Sequence, residues 1–294
     1  MTTAQSVKKT LDAQGTWIIG FSFKPAALPG GARDISALLD TAVLHVDLVL
    51  NADGTLAVRR AGSVTLGTTT FGVSAGSTYY IEWKIVISDT VGTVDVVVDG
   101  SNKLSLTGQD TRNAGNATAN VVRLGLTSAA GTIDYDDVYI CDGTGSAPNN
   151  TFLGDSRVDY VAPTGAGTTT QLTRGGTDSG ANWSQVDEAA PNDDTDYNEH
   201  ATVGNKDTYA FADITHTPTT IFGIQVLAHA KKDDAGAKSI ATVTRSTSDF
   251  DGATQALSTS YLYYSDIRAV DPNTSAAWTK VNLNAAEHGA KVAA

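Results

Sequence analysis

From Trp17 onward, apolar and polar residues alternate in short runs. WIIGFSFKP sets Trp17, Ile19, Phe21 and Phe23 on one face, the period-two pattern of a strand with one buried side. LHVDLVL sets Leu44, Val46, Leu48 and Leu50 against His45, Asp47 and Val49, and it runs through Asn51-Ala52-Asp53-Gly54 into TLAVRR. The Asp-Gly pair supplies the positive φ that a tight hairpin needs. YYIEWKIVIS alternates in the same way, and TVDVVVDG closes on a second such pair, Asp99-Gly100, before KLSL. VVRLGLTS and TIDYDDVYICD read as two further strands. Residues 17–142 thus carry the many short, evenly spaced strands of an antiparallel sandwich. Two pieces break the pattern: DISALLD predicts a short helical or irregular segment, and the polar residues 1–15 predict a short helix or a mobile arm.

The stretch GTGSAPNNTFLGD, Gly143 to Asp155, is rich in Gly, Asn, Ser and Pro and predicts a connector. Beyond it, strand-like runs resume: RVDYVA, TIFGIQVLAHAKK, SIATVTRS and YLYYSDIRAV. In the second of these, Phe222, Ile224, Val226 and Ala228 form the expected core face, opposite Ile221, Gly223, Gln225, Leu227 and His229. NAAEHGAKV predicts a short helix that ends at Gly289 as its C′ glycine. The pattern divides the chain into an arm (1–16), a first β-domain (17–145) and a second, smaller β-domain (146–294). No repeat with the period of a propeller or solenoid is present.

Composition narrows the function. The chain has 294 residues, a net charge of −12 and a pI near 4.7. Such an acidic surface repels phosphates, so neither nucleic acid nor an anionic membrane is an expected partner. The single cysteine, Cys141, allows no internal disulfide, which fits folding in a reducing cytoplasm. The N-terminal stretch lacks the apolar core of a signal peptide. No apolar run approaches the length of a membrane span.

Taken together, WIIGFSF, LHVDLVLNADGTLAVRR, YYIEWKIVIS, VDVVVDG and IDYDDVYICDGTG resemble a concanavalin A-like (laminin-G-like) jelly-roll domain. The later stretches NTFLGDSRVDYVAPTGAGTTTQ, WSQVDEAAPNDDTDY, KDTYAFADI, AHAKKDDAGAK and DPNTSAAWTKVNLNAAEHGAKV resemble a domain that follows it in structural proteins of tailed phages and prophages. The resemblance implies an all-β fold, a jelly-roll β-sandwich followed by a smaller β-sandwich-like domain with a short C-terminal helix. It implies a structural role on the virion exterior, tail-associated or as capsid decoration. It also implies a chain made in the host cytoplasm that acts without enzymatic activity. The expected partners are other copies of the chain in a homo-oligomer, with a trimer suggested by the symmetry of phage appendages, and other virion proteins. A receptor- or glycan-binding module on the particle is the alternative function, with host surface glycan as its ligand, and a polysaccharide hydrolase is the third. Jelly rolls of this kind open with a strand before the Trp17 equivalent; here either that strand is missing or TTAQSVKKTL supplies it.

The candidate chemistry is sparse. Jelly-roll glucanases need two carboxylates flanking the scissile bond, yet Glu82 is the one glutamate of residues 17–145. Gly72-Val73-Ser74-Ala75-Gly76 matches a nucleophile-elbow pattern, but a strand follows it where that motif needs a helix, so it predicts a turn. The five histidines fall at no zinc-ligand spacing. Asp193, Asp194 and Asp196, clustered in PNDDTDYNEH, are candidate Ca²⁺ ligands, since that hard cation wants several oxygens, and no other cofactor is expected. Asp134, Asp136 and Asp137 could add a rim site of the same kind, although a strand with one polar face explains them. Trp183, in the loop GANWSQ, is the candidate glycan platform; Trp17 and Trp83 sit in phase with core positions.

Overall fold

A computed structural model describes residues 5–125, 132–177 and 179–294. It is almost entirely β, and it divides into two compact units, Met1–Val158 and Asp159–Ala294.

The first unit holds β1 (Ser6–Gln14), β2 (Thr16–Pro25), β3 (Arg33–Asp40), β4 (Val43–Leu50), β5 (Thr55–Arg60) and β6 (Val64–Gly72). It continues with β7 (Tyr79–Val86), β8 (Gly92–Val98), β9 (Ser101–Gln109), β10 (Ala119–Gly125) and β11 (Ile133–Asp142). All of them pair antiparallel, in a six-stranded sheet of order β1-β10-β3-β4-β5-β6 and a five-stranded sheet of order β11-β2-β7-β8-β9. This is a jelly-roll β-sandwich. The end of VVRLGLTS, residues 126–128, and residues 1–4 of the expected arm lie outside the described residues.

The alternation read along the chain is what closes the two sheets. Trp17, Ile19, Phe21 and Phe23 of β2, Ile81, Trp83 and Ile85 of β7, and Val94, Val96 and Val98 of β8 line the inner face of one sheet. Ile35, Leu38, Val46, Leu48, Leu50, Leu56, Val58 and Val122 line the other, and all of these side chains are buried. Both hairpins form as the turn chemistry requires. Gly54 takes φ +85°, and a Cβ there would come within 2.3 Å of the Val73 carbonyl oxygen. Asp99 and Gly100 both have positive φ, 49° and 70°, the arrangement of a two-residue turn between twisted strands. After β6 the chain turns at Ser74–Ser77, closed by the Ser77 N–H to the Ser74 carbonyl, so the nucleophile-elbow pattern is indeed a turn.

Three local expectations are corrected. DISALLD is strand β3, because Ile35 and Leu38 face the sandwich core while Ala37 and Leu39 join Val121 in a smaller cluster on the opposite face. Apolar residues on both faces of a strand lose the two-residue period. Residues 6–14 are neither helix nor free arm but the extra strand that TTAQSVKKTL was the candidate to supply: β1 pairs with β10 at the edge of the six-stranded sheet. Most of its side chains, Lys8 and Lys9 among them, are exposed, and edge lysines discourage further pairing. The expected connector also belongs to the first unit, whose end lies at Val158 rather than near residue 145.

The second unit holds β12 (Pro163–Thr170), β13 (Thr173–Gly176), β14 (Asp196–Glu199), β15 (Lys206–Phe211), β16 (Ile224–Ala230) and β17 (Ser239–Ser246). Then follow β18 (Ser248–Asp251), β19 (Gln255–Ala256), β20 (Leu262–Arg268), β21 (Val270–Asp271), β22 (Ala276–Ala277), α1 (Lys280–Ala285) and β23 (Glu287–Val292). Its main sheet runs β12-β15-β23-β17-β18, with β19 also on β17, and β16 and β20 form a separate two-stranded ribbon. RVDYVA is irregular. The helix starts before the stretch read as helical and ends two residues into it: α1 is capped by the Thr279 hydroxyl, which accepts from the Asn282 N–H at 3.1 Å, and Gly289 lies within β23. A Cβ on Gly289 would sit 1.9 Å from the Asp207 carbonyl oxygen, so this glycine serves close strand approach, not a helix cap.

Candidate functional site

The one glutamate of the sandwich is sealed. Glu82 points away from the core on β7, yet it is buried because the segment after β11 folds back over it. Its carboxylate accepts the Gly154 N–H at 2.9 Å and the Tyr139 hydroxyl. The Leu153 N–H donates to the Tyr139 oxygen at 3.2 Å, and the Val158 N–H to the Asp137 carboxylate at 2.8 Å. Burial, reinforced by the Glu82 carboxylate, pushes the Tyr139 hydroxyl pKa well above its ordinary value. Gly20 makes room for this ring: a Cβ there would lie 2.1 Å from it. The group therefore pins residues 153–158 onto the five-stranded sheet. Asp137 of the suggested rim site serves that anchoring.

The residues singled out in the second half fall in different places. Trp183 lies on a 3-10 turn, Asn182–Gln185, and is half-buried rather than displayed. Asn182 holds the turn by donating to the Leu172 carbonyl at 2.8 Å and to the fully buried Asp207 at 2.6 Å. The three aspartates take separate partners. Asp194 binds the Lys231 ammonium at 2.6 Å and accepts from the Tyr261 hydroxyl at 3.0 Å. Asp193, at φ +58°, faces the His229 imidazole at 3.5 Å. Asp196 is in β14, opposite Gly176, with Glu188 nearby. Among the described residues no three His, Cys, Asp or Glu side chains converge as metal ligands.

Asp193 and Asp194 instead border a cluster on the β16–β20 ribbon. The His229 ring stacks on Tyr261, with centroids 5.0 Å apart, and tilts against Tyr263 at 4.5 Å. The Lys231 ammonium sits 4.5 Å from the Tyr261 centroid, within cation–π range. Its hydrogen bonds, Lys231 first, hold the Asp194 carboxyl below its usual pKa, and burial with the Asp194 charge raises that of the Tyr261 hydroxyl. The ribbon register pairs His229 with Tyr263, Leu227 with Ser265 and Gln225 with Ile267. Its inner side buries Val226 and Tyr264, whereas Leu227, Tyr263 and Ile267 are 52%, 60% and 71% exposed. The outward face is thus an apolar strip with a rigid aromatic and charged end, suited to non-covalent recognition. The expected core face of this segment is realised at Val226. The exposed partners on β20 were not legible, because YLYYSDIRAV is apolar on both faces.

No protein-family model and no curated protein matches the chain. Among solved structures it is similar to a sialidase (19% identity, 42% of this chain and 11% of that one, TM-score 0.33). It is also similar to an endo-β-1,4-glucuronan lyase from Trichoderma reesei (15%, 47% and 73%, TM-score 0.39) and to a heptameric SAP-like pentraxin from Limulus polyphemus (16%, 47% and 69%, TM-score 0.34). The chain spans about a tenth of the sialidase's length. The expectation of a chain without enzymatic activity is corrected by these neighbours, which include a sialidase and lyases. At these identities the likeness assigns no activity to this chain.

Proposed function

We propose that this chain is a structural component of the exterior of a tailed-phage particle and acts by protein–protein assembly. The resemblance of both halves to phage structural proteins supplies the context. The observation that carries the assembly role is the outward strip of Leu227, Tyr263 and Ile267 on a ribbon whose two strands, among the described residues, pair only with each other. An apolar strip on a ribbon with both edges open is a surface that a partner stabilises by covering. The acidic net charge keeps such a protein soluble at high copy number.

Sedimentation velocity of the full chain over a concentration series tests the reading. Self-association that disappears in Leu227→Asp, with an unchanged circular dichroism spectrum, is the expected result. A chain that stays monomeric at its highest soluble concentration, and that is absent by mass spectrometry from the particles of a phage encoding it, removes the proposal.

A further inference from the structure

On the second unit, β17, the β17–β18 turn, the β21–β22 turn, α1 and the start of β23 line an open cavity of about 430 Å³. That volume lies within the ~300–1,000 Å³ of small-molecule sites. We propose that this cavity binds a neutral saccharide, through Thr247, Asn273 and Asn282.

The lining decides the ligand class by exclusion. Among the described residues Ala285 alone of its nine lining residues is apolar, so an apolar ligand would strand polar groups. An anion meets the wrong charge. The lining holds one guanidinium, Arg245, against two carboxylates, Asp271 and Glu287. That guanidinium is already committed to the Asp249 carboxylate at 2.9 Å and the Thr168 hydroxyl at 3.1 Å. A cation fares little better, because both carboxylates are occupied. Asp271 is fully buried and accepts from the Asn273 N–H at 2.9 Å and the Asn282 side chain at 3.0 Å. Glu287 accepts from the Thr168 N–H, the Thr168 hydroxyl and the Thr208 hydroxyl at 2.6–2.8 Å.

What remains for a ligand is neutral. Among the described residues the Thr247 hydroxyl and the Asn273 side-chain amide make no hydrogen bond within the protein, and Asn282 spends its side-chain amide donor on Asp271 with its oxygen left over. These groups both donate and accept, as sugar hydroxyls do. Thr247 is also the one-residue connection between β17 and β18, whose ends Ser246 and Ser248 pair, and it takes φ +80°. A β-branched residue rarely adopts that conformation, and such strain gathers at ligand-binding walls.

Saturation-transfer NMR on the full chain with glucose, galactose, N-acetylglucosamine, rhamnose and sucrose, and with phosphate and putrescine as charged controls, tests this site. At least one sugar should bind saturably, and the double variant Thr247→Ala, Asn273→Ala should weaken it about tenfold, the loss expected for two neutral hydrogen bonds. Both residues are exposed, so the variant should keep the parent's thermal midpoint. Leu227→Asp should leave sugar binding unchanged, which separates this site from the assembly surface. No saturable sugar, equal affinity in the double variant, or binding of phosphate or putrescine alone would overturn the inference.

Discussion

His288 shows how a single residue can be plain in the chain and still carry a property that the chain conceals. Its ring is buried in β23, edge-on to Phe211 at 5.3 Å and 3.4 Å from the Thr244 hydroxyl. Burial first, then the positive charge of Arg268, lowers its pKa from 6.5 to about 4 against the opposing pull of Glu287. Because the folded pKa is depressed, the unfolded chain takes up a proton below pH 6.5 that the folded chain refuses. Stability therefore falls as pH drops from 6.5 toward 4 and levels off below, by about 3 kcal/mol in all at about 1.4 kcal/mol per unit. Urea unfolding of the second unit's signal at pH 7 and pH 4.5 should show this loss, and His288→Gln should flatten it. His45 in the first unit is shifted in the same direction, mainly by burial under the 113–118 loop, where Asn113 N–H and the Thr118 carbonyl meet its ring. In sequence His45 reads only as a strand residue and His288 falls in the stretch read as helical, since nothing in their neighbours announces what will cover them.

At the scale of elements, legibility followed the chemical alternation of side chains rather than exposure, since β2 and β4 are buried on both faces as β3 is. β2, β4, β7 and β8 alternate apolar and polar residues and were readable, together with their Asp-Gly turns. β3 was not, because Ala37 and Leu39 are apolar on the face opposite Ile35 and Leu38, which erases the alternation. The C-terminal helix was displaced for another reason. Glycine at 289 matched a helix-ending signal, but the competing requirement was close approach of β23 to Asp207. The true start signal is Thr279, whose hydroxyl caps α1. Thr279→Ala should cost about 1 kcal/mol, measured as a lowered urea midpoint for the second unit. A change within error would show that packing of the short α1, not its cap, sets its stability.

At the scale of the whole molecule, the boundary between the two units depends on where the segment after β11 goes. Its Gly, Asn and Pro content reads as a connector, yet residues 153–158 cover Glu82 and Asp137. A fragment of residues 1–158 should fold cooperatively by circular dichroism. A fragment of residues 1–145 should unfold at lower urea, because it leaves Glu82 without the Gly154 donor and exposes the outer face of the five-stranded sheet. Equal midpoints would mean that this cover adds nothing to the fold. The same contrast holds for the candidate sites. The sequence pointed to Asp193 and Asp194, but not to Tyr261, Tyr263, His229 and Lys231, which reach them from strands far along the chain. The Thr247 cavity gave no signal at all, since Thr, Asn and Ser are ordinary turn residues.

Alternation of side chains and turn chemistry are local, so the chain alone determined the β class, the two hairpins and most of the first unit's core. Burial of a charge, the partners of an aspartate and the closing of a cavity depend on which distant strands become neighbours, and only the tertiary structure decided those. Period two tells a strand which side is dry; it does not say what arrives to make it so.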